Sequence, residues 1–395
     1  MADRLKRKVC IVVASRASYA RIKSVLQAVQ AHPALELQLV VGASALLHRF
    51  GKVVDVIKND GFPIDATVYC LVEGENPTTM AKSTGLAIIE LATIFENLQP
   101  DVVVTVADRF ETLGTAIAAA YMNIPLAHTQ GGEVTGSIDE SVRHAVTKLA
   151  HVHFPATQRA AERLIGMGED PETIVVTGCP SIDVVANGID LSLPEDLFLR
   201  YGGVGATIDP RQPYLVVLQH PITTEYGQGE RQIMETINAI AALKMQTVWL
   251  WPNADAGSDD IAKGLRRFRE QCNPAHIAFF RNFIVDDYAR LIYNCACLIG
   301  NSSSAIREGA FLGVPAVNIG TRQQGRERGE NVMDAGHSAQ EIMRAVRAQV
   351  AHGRYFANPL YGDGRAGERI ANVLAECRFK IQKQLHILTE ARCAP

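Results

Sequence analysis

The sequence predicts an α/β chain of two Rossmann-like domains facing a cleft, and three observations carry that expectation. Short β-branched runs alternate with helical stretches almost throughout, and the runs are apolar on both faces, as in a parallel sheet covered on two sides. The alternation lapses once, through LSLPEDLF, the Gly202-Gly203 pair, Pro210 and Pro213, and then restarts. The two halves also echo each other. DVVVTVADRFETLGTAIAAAYMNIPLAHTQGG runs strand, loop, helix, Ile-Pro, strand, glycine loop, and CLIGNSSSAIREGAFLGVPAVNIGTRQQG repeats that order. The boundary falls near 185–212, giving an N-terminal domain 1–190, a C-terminal domain 191–364 and a terminal segment 365–395. By analogy with such architectures, that segment packs back on the first domain.

In order, Lys8–Ala14 is a buried-type strand, and SRASYARIKSVLQAVQAH is loop and helix. Leu35–Val41 is a strand and Gly51–Asn59 a short helix. Ser83–Leu98 carries Leu86, Ile89, Leu91, Ile94, Phe95 and Leu98 at helical spacing and closes at Pro100. Asp101–Val106 and Pro125–Ala127 are strands. A helix begins near Ile138, where Asp139 and Glu140 suit the positive end of its dipole. His151-x-His153 fits alternation in a strand ending at Pro155 better than a metal pair, because no third ligand is evident. The second half predicts strands at Tyr214–Leu218, Thr247–Trp251, Ile277–Phe280, Cys295–Ile299 and Val314–Ile319. Helices are expected at Arg231–Leu243, Ser258–Cys272 and Val285–Asn294, and Arg365–Leu388 is expected to be mostly helical.

The 395 residues are 47% hydrophobic and 21% charged with a formal net charge of −3, a globular profile long enough for two domains. So weak a charge argues against nucleic acid as partner, since neutralising phosphates needs a basic face. No apolar run approaches the roughly 18–20 residues of a membrane span. The run VCIVVA is too short for a signal peptide, so no membrane partner and a cytoplasmic location are expected. Cys10, Cys70, Cys179, Cys272, Cys295, Cys297, Cys377 and Cys393 include no C-x-x-C pair and read as buried free thiols. No metal and no cofactor are expected.

Polar clusters fall just after strands: Ser15, Arg16 and Ser18; Asp108, Arg109 and Glu111; His128, Gln130 and Glu133; His220, Thr223, Thr224 and Glu225; Asn253 and Asp255; Asn301 to Ser304, Arg307 and Glu308; and Thr321, Arg322 and Arg326. In facing Rossmann-like units those positions converge on the cleft. GNSSS opening a helix suits a diphosphate, with backbone N–H and hydroxyl donors aided by Arg322 and His220. Glu308, one turn on, suits ribose hydroxyls. Capping by Ser302 or Ser304 explains the same serines without a ligand.

These residues resemble those of the hydrolysing UDP-N-acetylglucosamine 2-epimerases, of the sialic and legionaminic acid pathway type and the epimerase half of the bifunctional epimerase/kinase. The likeness runs from Arg16 to about Gly364 and rests on SRASYARIKSVL, DRFETL, GGEVTGSIDESVRHAVTKLAH, GCPSID, QHPITTE, PNADAGS, GNSSSAIREGAFLGVP, NIGTRQQGRERGEN and YGDG. It implies a fold like the B-type glycosyltransferases, a UDP-sugar substrate, and a homodimer or homotetramer. Ser302, Ser303 and His220 would meet the diphosphate with Arg16 and Arg109 assisting, and Asn253, Glu308 and Arg322 would complete the nucleotide site. His128, Arg143 and His144 would lie on the sugar side, and Asp108 and Asp139 fall on two catalytic acid positions.

The departures are at the sugar end. Where relatives carry a third acid, in H-x-E-G-G-E, this chain has Gln130, which is no general base; Glu133 is a candidate stand-in. Val106-Ala107-Asp108 replaces H-G-D, Ser18 replaces an acid in R-A-D/E-Y, and Ser44 stands at a histidine position. The expected activity is hydrolysing 2-epimerisation of UDP-N-acetylglucosamine or a 2,4-diacetamido-trideoxy relative. The alternatives are a nucleotide-sugar-binding protein without that catalysis and a glycosyltransferase of the same fold.

Overall fold

The computed structural model describes residues 6–386 other than positions 107, 188 and 273. Cys393, Ala107 and the end of the 365–395 segment therefore lie outside the described residues.

The first sheet has strands β1 (Arg7–Val13), β2 (Leu35–Gly42), β3 (Ala66–Val68), β4 (Val102–Val106), β5 (Leu126–Thr129) and β6 (Val152–Phe154). Their order is β3-β2-β1-β4-β5-β6, all parallel. The second sheet has β7 (Val204–Gly205), β8 (Tyr214–Leu218), β9 (Gln246–Leu250), β10 (Ile277–Phe280), β11 (Cys297–Gly300), β12 (Ala316–Ile319) and β13 (Val332–Ala335). It runs β13-β12-β11-β8-β9-β10-β7, parallel except where β7 meets β10. Both sheets are buried on two faces, because successive residues feed opposite cores. Val9, Ile11 and Val13 pack in one cluster and Cys10 and Val12 in another. Leu215 and Val217 divide from Tyr214, Val216 and Leu218 in the same way. We propose residue 190, between the sheets, as the division of the chain.

Strand order reverses between β1 and β4 in the first sheet and between β8 and β11 in the second. At such points the following loops diverge and leave a crevice beyond the strands' carboxyl ends. The loops carrying Arg16, Asp108, His220 and Ser302 are the ones that open there.

Several elements differ from expectation. The helix expected from Ser83 starts at Pro77, where Asn76 accepts the Thr79 N–H at 3.0 Å and Pro77 occupies the first turn. Its polar opening hid it from an apolar-spacing argument. The helix after β1 is broken into Arg16–Ala20 and Lys23–Ala31. The C-terminal helix covers only Ala366–Glu376. Its Ile370, Ala371 and Leu374 pack with Val25, Leu26 and Val29 of the first half. Beyond Cys377 tertiary contacts replace helix: His386 N–H donates to the Gly168 carbonyl at 2.9 Å, and Lys383 lies 2.5 Å from buried Glu169. Cys272 is exposed, at the solvent end of its helix, unlike the buried Cys10, Cys70, Cys179, Cys295 and Cys297. Among the described residues no helix is long and apolar enough to cross a membrane.

Candidate active site

One pocket lies between the two sheets, and Arg16, Asp108, Arg109, Asp139, His220, Asn253, Ser302, Ser303, Glu308 and Arg322 all line it. Ser304 of the GNSSS loop lines it too, as do Arg21, Asn282 and Tyr288, which had no distinguishing signal in the sequence. Arg21 follows Arg16 in the same motif, and the break at Ile22 ends its helix beside the pocket.

Four cations dominate one wall. Arg16 donates to Asn253 Oδ1 at 3.1 Å and Asn282 Oδ1 at 2.7 Å, and Arg21 to Ser303 Oγ at 2.7 Å. Arg322 donates to the Asn301 carbonyl at 3.1 Å. Arg109 is spent internally: it bonds both Glu111 oxygens at 3.2 Å, Asp255 Oδ1 at 2.5 Å and the Ala254 carbonyl at 3.3 Å. It thus ties the halves together at the pocket edge. Burial drives His220 well below the usual imidazole range, and the charges of Arg322, Arg16, Arg109 and Arg21 drive it further. His220 is therefore a neutral donor. The serine loop forms a 3-10 turn, Ser303–Ala305, with only a four-residue α-helix behind it, Glu308–Phe311, instead of the expected longer helix. Glu308 Oε2 is buried without a hydrogen-bond partner among the described residues.

The two pocket carboxylates have opposite surroundings. Burial alone would raise Asp108, but Arg143, Arg21 and Arg326 outweigh it and hold the carboxyl well below its usual range. Arg143 Nη2 donates to its Oδ2, Arg21 is 3.6 Å away and Arg326 3.9 Å. Asp139 is raised, first by burial and then by the charge of Asp108, with Asp255 adding to it, against Arg322 at 3.7 Å and the charge of Arg109. It opens the helix Ile138–Leu149 and keeps 21% side-chain exposure, so it remains reachable. Paired carboxyls pushed apart in this way divide into a permanent anion and a proton carrier.

His128, Gln130, Glu133, Arg143 and His144 are not brought to the pocket wall. His128 is buried on β5, with Nδ1 3.3 Å from Thr147 Oγ1. Gln130 has φ +62°, which turns its side chain back so that Nε2 donates to Cys179 Sγ at 3.3 Å. Glu133 is 2% exposed and accepts from Arg307 at 2.6 Å, with Arg326 at 3.2 Å. Burial favours its neutral form, but Arg307, Arg326 and Arg143 prevail and keep it below the usual range. Arg143 spends its two ends on Asp108 and the Glu133 carbonyl. His144 faces Glu140 at 3.5 Å on the helix surface. His153 is likewise structural, 3.0 Å from Glu169, and among the described residues no group of His, Cys, Asp or Glu is arranged to hold a metal.

A profile of the UDP-N-acetylglucosamine 2-epimerase family matches residues 27–375. The chain is 32% identical to a Legionella pneumophila protein named UDP-N,N'-diacetylbacillosamine 2-epimerase (hydrolyzing), over 93% of this chain and 95% of that one. It is 29% identical to a Neisseria meningitidis UDP-N-acetylglucosamine 2-epimerase, over 94% and 95% of the two chains. In fold it is similar to UDP-GlcNAc 2-epimerase from Neisseria meningitidis solved with UDP-GlcNAc bound, with a TM-score of 0.77 at 17% identity, covering 94% of this chain and all of that one.

Proposed function

The chain belongs to the UDP-N-acetylglucosamine 2-epimerase family, and from that premise we propose that it is a hydrolysing 2-epimerase of a UDP-linked 2-acetamido sugar. The observation that supports this most is the Asp108–Asp139 pair, one carboxyl held ionised and the other raised, at the edge of a cationic pocket.

The C2 hydrogen of such a sugar is not acidified by a carbonyl, so its removal must accompany rupture of the C1–O bond to UDP. Arg16, Arg21, Arg322 and the neutral donor His220 stabilise the departing diphosphate. Asp139, in its ionised fraction, takes the C2 proton. Asp108 remains charged and stabilises positive charge developing at C1 as the bond breaks. The products are UDP and a 2-acetamidoglucal. Water then adds across C1=C2, oxygen to C1 and hydrogen to C2 from the opposite face, giving the free 2-epimer. Glu133, locked by two arginines, has no part in proton transfer, and Gln130 holds Cys179, whose Sγ lies 3.1 Å from the hydroxyl of pocket-lining Ser181.

Incubation with UDP-N-acetylglucosamine and with its 2,4-diacetamido-trideoxy analogue tests the proposal. Acceptor-independent release of UDP with a free 2-epimerised sugar is expected from at least one. UDP release only with an added acceptor supports a glycosyltransferase, and tight UDP binding without turnover a binding protein.

A further inference from the structure

We propose that Asn301 is a positioning residue that locks His220 and Arg322 into one rigid donor set at the diphosphate end of the pocket. It has this role only if the pocket takes a nucleoside diphosphate, as proposed above.

Asn301 follows β11 and is fully buried, so its polar groups must be satisfied inside the protein. Its Oδ1 accepts the His220 backbone N–H at 2.7 Å, and its Nδ2 donates to the His220 carbonyl at 2.8 Å. One carboxamide therefore bridges the loops after β11 and β8 with a two-bond pairing, where the strands themselves have ended. Its own carbonyl accepts from Arg322 Nη1 at 3.1 Å and Gln323 Nε2 at 2.8 Å, which adds the loop after β12. The close approach depends on Gly300, at φ +128°, where a Cβ would stand 2.1 Å from the Leu218 carbonyl oxygen.

Fixing the His220 backbone also fixes its ring chemistry. His220 Nδ1 accepts the Asn253 backbone N–H at 3.2 Å, from the loop after β9. A backbone N–H can only donate, so the proton of the neutral ring resides on Nε2, leaving a hydrogen-bond donor for an anionic oxygen. Four loops from four strands thus meet around Asn301 and His220: the Asn301 carboxamide holds the His220 backbone, the Asn301 main-chain carbonyl holds Arg322 and Gln323, and the His220 ring holds Asn253. Leucine shares asparagine's branching at Cγ but is larger and cannot reproduce either bond, and aspartate keeps the acceptor while setting a carboxylate against the His220 carbonyl.

Calorimetric titration with UDP and with uridine, which lacks the phosphates, separates positioning from general support. Asn301→Ala is expected to weaken UDP by about 10- to 100-fold and uridine by less than about 3-fold. In a His220→Ala background the same change should cost less than about 3-fold further, because the two residues act as a unit. Thermal melts run alongside; if Asn301→Ala does not fold, Asn301→Asp carries the same comparison. Equal weakening of UDP and uridine, or losses that add fully to those of His220→Ala, overturns the positioning role alone. A wild-type protein that binds UDP no better than uridine overturns the diphosphate reading and the positioning role with it.

Discussion

Arg307 donates to Glu133 at 2.6 Å across the cleft, and both side chains are buried. Removing one partner of such a pair typically costs roughly 3–5 kcal/mol. Arg326 remains 3.2 Å from Glu133, so Arg307→Met is expected to lose less, about 2–3 kcal/mol in urea unfolding. Glu133→Gln should also be less stable, yet keep the wild-type acid limb in its pH–rate profile. A vanished limb would make Glu133 a proton carrier.

Asp139 is expected to govern that limb instead. Its folded carboxyl is raised, so the ionised base disappears as pH falls through a value above the usual aspartate range of about 3.9. Asp139→Asn is expected to lower kcat by about 100- to 10,000-fold. Arg322→Met removes the stronger of the two cations opposing the rise, Arg109 being the other, and should move the acid limb of kcat/KM to higher pH. An unmoved limb contradicts the assignment.

Asp108 and Glu133 contribute to stability with the opposite sign. Both are depressed in the folded protein, so their contribution is complete above unfolded values of about 3.9 and 4.3. It is lost as pH falls below those values through the lower folded ones. Asp108→Asn should therefore be less stable at pH 7 and show a shallower fall in stability below about pH 4. Parallel curves for variant and wild type would contradict this.

Gly136 tests whether closure of the cleft matters. A Cβ there would stand 2.0 Å from the Thr321 carbonyl oxygen in the other half, while Gly136 N–H donates to the Arg322 carbonyl at 3.0 Å. Gly136→Ala should keep its melting temperature within a few degrees but lower kcat/KM by about 10- to 100-fold, since closure is displaced by more than an ångström. Gly132, at φ +76° and with a Cβ there standing 2.1 Å from the Ala160 carbonyl oxygen in its own half, should instead lose stability when changed to alanine.

The two-half α/β fold is legible in the sequence because both sheets are apolar on two faces and their strands read as continuous runs. Short or exposed pieces are not: β3 and β7 are three and two residues long, and β13 is not buried at any position. Among site candidates, Arg16, Asp108, His220 and Ser302 stand on the pocket wall because each follows a strand at a reversal of strand order. Gln130 and Glu133 share a motif with Asp139 but not its orientation. A left-handed backbone turns Gln130 towards Cys179, and two arginines distant in sequence claim Glu133. Sequence proximity carries no information about such long-range ion pairs.

The most direct test of the account is turnover of both UDP-2-acetamido sugars in D₂O, with the released sugar followed by NMR. Wild-type protein is expected to release UDP and a free 2-epimer carrying one deuterium at C2, and Asp139→Asn to lower both together by about 100- to 10,000-fold. Protium retained at C2 in the released sugar, or deuterium incorporation undiminished in Asp139→Asn, would contradict it.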